Sequence, residues 1–415
     1  MKNFLVHNDN VKKEMLETLG VEKPNDLFGQ IPFDIRVKSF DVGTPLSEAQ
    51  VQREIKSLAK KNRTNLINFC GGGVYNKFIP ACVSQVAQRF EFLTAYTPYQ
   101  AEISQGTLQV MYEFQTMISR LTGMDISNAT VYDGGTACAE ALLMAVRIAK
   151  KPKVLVNKNI NPEYMRVIKT YCWAGNIEVD TFDEKPENVS DYACVLYQTP
   201  NYYGEVIVPE KFDNTLLIVC VDLSTLSVLK PPSEYGADIV VADVQSLGVP
   251  MNFGGPHAGI IATKEKYMRQ LPGRLAGRTV DKDGNPAYTL TIQTREQHIK
   301  REKATGNICS NQALIGLWVT VYLSVMGEKG FRQAGYLSAK FAHKLADGLR
   351  QKSYTVLNKN FFNEFLLQVP KSDEFLSKLY AVGILGGIKI SENTVLIAAT
   401  ELITDLDIAL YLSAV

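Results

Sequence analysis

Between Thr130 and Thr263 short apolar runs alternate with longer amphipathic stretches. KVLVN, IEVDTF, ACVLYQT, TLLIVCVD, ADIVVADV and HAGIIAT are rich in Val and Ile and bounded by turn residues. Such runs suit strands buried on both faces, so the pattern predicts a mostly parallel sheet covered by helices. NPEYMRVIKTYCWAG, between the first two runs, has helical spacing, as does QGTLQVMYEFQTMISRLTG upstream. Residues 1–60 read as amphipathic helix. VKKEMLETLG ends at a glycine, and SEAQVQREIKSLAKK opens on a Ser-x-x-Gln capping pattern. A further long helix is expected from about Gln293 to Val325. Beyond Lys329, YTVLN, EFLLQVP, GGIKI and TVLIAAT alternate with two helical segments. The expected organisation is an N-terminal helical arm (1–60), a large α/β domain (61–328) and a small α+β domain (329–415).

The chain has 415 residues, a formal net charge of +1 and 21% charged residues. That balance argues against a nucleic-acid or anionic-membrane surface as its main business. The opening MKNFLVHNDN lacks the apolar core of a secretory signal, and IGLWVTVYLSV is too short to span a bilayer. A soluble, cytoplasmic protein is expected. Seven scattered cysteines without a C-x-x-C favour free buried thiols, and Cys309 is read as a packing residue. Four histidines without helical ligand spacing give no support to structural zinc.

Several motifs bear chemistry. In TVYDGGTACAEALLMAVRIAK a strand-like TVY meets Asp133-Gly134-Gly135-Thr136, and a helix follows. Glycines at a helix start allow close approach, and free N–H groups there suit a phosphate; the plainer alternative is a turn that needs glycine. Asp222 closes the run TLLIVCV at a strand end, where ligands of open α/β sheets sit. An Asp there can pair with a protonated pyridine nitrogen, although most such residues are simply turn formers. Asn201, in QTPNYYGEV, falls at the same edge. Tyr96 and Tyr99 flank Pro98 in a predicted loop, as ligand-contact candidates or as packing rings. Arg295, His298, Lys300, Arg301 and Lys303 read as a solvated helix face beside Glu296 and Glu302. Arg269, Arg274 and Arg278 have little compensating acid nearby, which makes them better anion-site or interface candidates. A dinucleotide fingerprint and a Walker loop are both missing.

Taken together, AYTPYQAEISQGTLQ, DGGTACAEA, QTPNYYGEV, QSLGVPMNFGGPHAG, RQLPGRLAG and REQHIKREKATGNIC resemble the glycine cleavage system P-protein, in its N-terminal-half, subunit 1 type. The resemblance covers nearly the whole chain. It implies the fold-type I pyridoxal phosphate architecture, as in aspartate aminotransferase. It also implies an activity: decarboxylation of glycine and transfer of the aminomethyl group to the lipoyl arm of the H-protein. Two homologous halves share that work, and only one carries the Schiff-base lysine. Laid against that half by pattern, Ser246 of this chain falls where the lysine would be, and no lysine occurs from 231 to 263. A serine cannot form an imine. Pyridoxal phosphate is therefore expected in a lysine-bearing partner subunit, with two copies of each subunit in the assembly. Gly135, Thr136, Asn201, Asp222 and Ser246 are then remnants of a cofactor site, and Tyr96 or Tyr99 reaches the partner's site. The rival readings are a self-sufficient enzyme using Lys264, and a structural or regulatory pseudoenzyme. If HAGIIAT runs antiparallel, Lys264 emerges at the wrong edge.

Overall fold

A computed structural model describes residues 7–37 and 39–415. Contacts divide the chain into two units, Met1–Thr64 and Asn65–Val415. The first unit holds two α-helices, Asp9–Leu19 and Glu48–Ala59, with 3-10 turns at Pro24–Phe28 and Phe33–Ile35. Gly20 ends the first helix in the left-handed region, and Ser47 with Gln50 forms a capping box on the second. Between them the described chain carries only these short 3-10 turns. The part of the expected helical arm (1–60) falling on residues 1–6 and Lys38 lies outside the described residues.

In the second unit seven strands form one sheet. Its order is Ile126–Ser127, Gly259–Thr263, Ile239–Asp243, Leu216–Val221, Cys194–Thr199, Lys153–Asn157, Glu178–Phe182. The last five are parallel; Gly259–Thr263 runs antiparallel to Ile239–Asp243 and to Ile126–Ser127. The unbroken Val/Ile runs follow from burial on both faces. Val154, Val156, Ile218, Cys220, Ile239 and Val241 pack under the helices Gly134–Ala149 and Pro162–Ala174. Leu155, Leu217, Val219, Val221, Val240 and Ala242 pack against Phe114 and Ile118 of helix Gln105–Thr122 and against Val319 and Tyr322. Truncating one of these, Ile218→Ala for instance, would cost about 2–5 kcal/mol. Because the strands are parallel, their ends at Asn157, Thr199, Val221 and Asp243 line one edge. The small sheet, in the order Thr355–Val356, Glu364–Gln368, Thr394–Ala398, Ile388–Lys389, is wholly antiparallel. It packs around Phe365, Ile397 and Tyr411.

Three expectations are corrected here. The helix expected from Gln293 begins only at Ala313, and runs to Gln351 with a non-helical Gly327 at which two helices meet. Residues 293–303 form three short turns instead. Helix-favouring Arg, Glu, Gln and Lys lose there to a tertiary contact. Arg295 turns inward, and its guanidinium donates to the carbonyls of Ile292, Leu271 and Gly273. The basic cluster is accordingly not a solvated helix face, since Arg295 and Glu296 are buried while Lys300, Arg301 and Lys303 stay exposed. TVY is no strand either; Val131 makes a single bridge to Gly259. The sequence reading also lacked the hairpin Ala276–Val280 with Pro286–Leu290, whose Asp-Lys-Asp-Gly-Asn turn was a legible signal.

Candidate functional site

At the carboxyl edge of the sheet, Asp222 follows its strand and turns back to cap the next segment. Its carboxylate accepts from Ser224 N at 3.0 Å, Ser224 Oγ at 2.8 Å and Ser246 Oγ at 2.6 Å. Asp243, at the end of the neighbouring strand, accepts from Gly134 N at 3.0 Å and from Gln245 N at 2.9 Å, and faces His257 Nδ1 at 3.1 Å. That contact raises the imidazole's affinity for a proton. Asp133 caps the helix itself by accepting from Thr136 N at 2.7 Å. Tyr164 lies over the same helix start, so close that a Cβ on Gly134 would sit 2.4 Å from its hydroxyl. Burial drives that phenol's pKa well up.

From the small sheet, Glu364 enters the same region. It accepts from Gly72 N at 2.6 Å and from Tyr75 Oη at 3.0 Å, and burial pushes its pKa up to about 7. The cavity left among Tyr75, Tyr164, Asp222, Asp243, Ser246 and Glu364 is about 40 Å³. That is room for one or two ordered waters.

Pyridoxal phosphate does not fit this arrangement. The helix-start amides of Gly134 and Thr136, expected to be free for a phosphate, are bonded to carboxylates of the chain itself. The pocket lining carries the carboxyl groups of Asp222, Asp243 and Glu364, and Ser246 offers no amine. Asn201 is spent locally: its Oδ1 accepts from Tyr203 N and Glu205 N. Lys264 lies at the opposite end of the sheet, with Nζ 2.6 Å from Asp238 Oδ1. Among the described residues no cluster of side chains could hold a metal, and no helix is long and apolar enough to cross a membrane.

A second cluster gathers Tyr96, Tyr99, Arg274, Glu296, His298 and the loop before Ala313. Tyr96 and Tyr99 lie on the loop after the short helix Phe90–Leu93, 76% and 45% exposed. Tyr96 Oη is 2.7 Å from Ser310 Oγ. Tyr99 Oη accepts from Arg274 Nη2 at 3.0 Å, and its ring meets His298 edge-on at 5.2 Å. Arg274 also donates to the Cys309 carbonyl and faces Glu296 at 3.5 Å. Burial raises the pKa of Glu296. Beside Tyr96 a groove of about 280 Å³ runs between Phe92, Leu93, Met111, Ile315 and Leu317. The Cys309 thiol is exposed, which corrects its reading as a packing residue; its backbone, not its sulfur, is held. Cys82 is exposed as well, so the thiols are not uniformly buried. Arg269 and Arg278 are exposed and stand outside this cluster, whereas Arg274 is at its centre.

The model of the family described as glycine cleavage system P-protein matches residues 2–415. The chain belongs to that family. A P-protein relative, a probable glycine dehydrogenase (decarboxylating) subunit 1 of Carboxydothermus hydrogenoformans, is 44% identical over 96% of each chain. A second, from Geobacillus thermodenitrificans, is 41% identical over 97% of this chain and 96% of its own. A crystal structure of glycine decarboxylase (P-protein) of the glycine cleavage system, in inhibitor-bound form, is 40% identical. It superposes with a TM-score of 0.92 over 100% of this chain and 99% of that one. An alanine–glyoxylate aminotransferase from Nostoc (13% identical, TM-score 0.57, 85% of this chain and 95% of that chain) shares the fold alone. The architecture is that of the fold-type I pyridoxal phosphate enzymes.

Of the residues reasoned from sequence, Asp222 and Ser246 meet directly, and Gly135 and Thr136 lie at the helix start beside them. Tyr96 and Tyr99 belong to the other cluster. Asp243 was missed although it ends a strand as Asp222 does, and the same edge rule would have found it. Tyr164 and Glu364 had no local signal, because both arrive from distant parts of the chain.

Proposed function

We propose that this P-protein chain is the subunit of a heteromeric glycine decarboxylase that lacks the Schiff-base lysine, and that it is inactive alone. A homologous subunit with the Schiff-base lysine holds pyridoxal phosphate, which supplies an electron sink when bound. Together the two decarboxylate glycine and pass the aminomethyl group to the lipoyl arm of the H-protein, in a cytoplasmic assembly with two copies of each subunit. The observation that carries this reading is at the carboxyl edge, where Ser246, which cannot form an imine, donates to Asp222, and the amides of Gly134 and Thr136 are bonded to Asp243 and Asp133. A chain with its own site closed contributes through a surface, and the exposed Tyr96 and Tyr99 are the surface groups best held for such a task. The hydroxyl of Tyr96 or of Tyr99 orients the substrate at the partner's site, and orientation alone can supply a large share of a rate enhancement. We assign the arm, large domain and small domain as 1–60, 61–328 and 329–415, with Gly327 as the break between the last two.

The test has two parts. The isolated chain, incubated with pyridoxal phosphate and reduced with borohydride, should yield no stoichiometric labelled lysine peptide. Co-purified with the lysine-bearing subunit, it should form a stable complex that exchanges glycine carboxyl with CO2. A single labelled lysine in the isolated chain, or separate species at micromolar concentration, would overturn the reading.

A further inference from the structure

Two buried arginines lie in the same part of the fold and are used differently. Arg295 is bound on three guanidinium nitrogens to three backbone carbonyls, which makes it an internal strut. Arg274, only 1% exposed, is not saturated in that way. Its Nε meets Glu296 Oε2 only as an ion pair at 3.5 Å, its Nη1 makes no hydrogen bond, and its Nη2 donates to the Tyr99 hydroxyl and the Cys309 carbonyl. Leaving buried N–H groups of a cation unpaired is costly, so packing alone is a poor reason to keep a guanidinium there.

The backbone aims it. Gly273, at φ +84°, passes within reach of Asn128 and Thr130, where a Cβ would meet Asn128 Nδ2 at 3.0 Å. The Arg274 carbonyl then accepts from Ala129 N at 2.9 Å. The guanidinium carbon lies 5.3 Å from the centre of the Tyr99 ring, Glu296 faces it from the other side, and His298 closes the ring's edge. Tyr99 is thus 45% exposed yet held by Arg274 and His298, which Glu296 faces in turn. A phenol oxygen that accepts from a guanidinium keeps its own O–H free, so it is presented as a donor.

We propose that Arg274 is the positioning residue for the Tyr99 hydroxyl, holding it as a hydrogen-bond donor toward an acceptor oxygen at the partner's site. The acceptor is of carboxylate or phosphate type. The inference rests on the reading that Tyr99 reaches that site. Arg274 itself stays buried and touches no substrate.

The test uses the assembled complex with glycine as the probe, and compares Arg274→Lys, Tyr99→Phe and the double variant. Tyr99→Phe should lower turnover by about 100-fold, the scale for one lost transition-state donor. Arg274→Lys keeps the charge and loses the planar fork, and should lower turnover at least tenfold with assembly intact. The double variant should match Tyr99→Phe within about twofold, because a positioning residue has nothing left to position. General structural damage would instead multiply the two losses, and that result overturns the proposal. So does wild-type turnover in Arg274→Lys when Tyr99→Phe has lost it, with the reading of Tyr99 left standing. Full turnover in Tyr99→Phe sinks the reading itself. If Arg274→Lys does not assemble, Arg274→Gln is judged by the same cycle.

Discussion

The carboxyl-edge cavity and the tyrosine–arginine cluster lie in one fold and have opposite economies of hydrogen bonding. In the first, the carboxylates are spent inward: Asp222 on Ser224 and Ser246, Asp243 on Gly134, and Glu364 on Gly72 and Tyr75. In the second, a buried guanidinium leaves Nη1 without a hydrogen bond and meets Glu296 only at 3.5 Å, and two phenols are partly or largely exposed. A satisfied polar network rigidifies a fold, whereas an unsatisfied one at a surface is poised to bind. The carboxyl edge of the sheet is therefore largely tied up in the chain's own hydrogen bonds, while a surface loop carries a less saturated cluster.

The comparison breaks most sharply if mutations cross over. Tyr99→Phe in the complex should cost about 100-fold in turnover with an unchanged unfolding midpoint. Asp222→Asn should do the reverse, costing about 1–3 kcal/mol of stability by disturbing three accepted hydrogen bonds. Its turnover should stay within about twofold once assembled. Equal turnover losses from both would mean that the closed cavity still takes part in chemistry.

Next in size is a pH effect confined to the closed region. Glu364 has a folded-state pKa of about 7 against an ordinary value of 4.5. Between those values the unfolded chain releases the proton while the folded chain keeps it, so stability falls as pH rises. The cost is fully expressed above pH 7 and absent below 4.5, and amounts to roughly 3 kcal/mol. Glu364→Gln should flatten that part of the profile in thermal unfolding between pH 5 and 8. An unchanged difference between wild type and variant across that range would mean the carboxyl is ionised and solvated.

Ser246→Lys sharpens the comparison further. A lysine placed beside Asp222 must enter a cavity of about 40 Å³. Overpacking should cost about 2 kcal/mol. The chain should still show no imine absorbance with pyridoxal phosphate, because Tyr164 and the carboxyl groups of Asp222, Asp243 and Glu364 remain. Appearance of such a band would show that the serine alone had closed the site.

How much of this was legible follows from how local each signal is. The strand runs from Lys153 to Thr263 and the helices Gln105–Thr122 and Pro162–Ala174 were readable, since burial on both faces and helical periodicity are written in consecutive residues. The turns at 293–303 were not, because Arg295 is held by carbonyls some 22 to 24 residues away in the chain. The same holds for the site. Asp222 and Ser246 could be placed from their strands, and the two tyrosines from their proline-bounded loop. That Arg274 meets Tyr99 across 175 positions, or Glu364 meets Tyr75 across 289, is a fact of the tertiary fold.

The smallest expected effect belongs to Lys264, and it bears on which region the cofactor chemistry belongs to. Its ammonium is 2.6 Å from Asp238 Oδ1, whose other oxygen accepts from Leu217 N at 3.1 Å. Both lie at the end of the sheet away from Asp222, because Gly259–Thr263 runs antiparallel to its neighbour. Lys264→Arg keeps the ion pair and removes the nearest downstream amine that the self-sufficient reading could use. An imine needs a primary amine, and a guanidinium does not serve. A partly exposed pair of this kind is worth little, so the change should move stability by less than about 1 kcal/mol. Turnover of the complex should be unaffected. Loss of turnover in Lys264→Arg, with the complex intact and glycine saturating, would move the chemistry to this chain and undo the contrast between its closed and open regions.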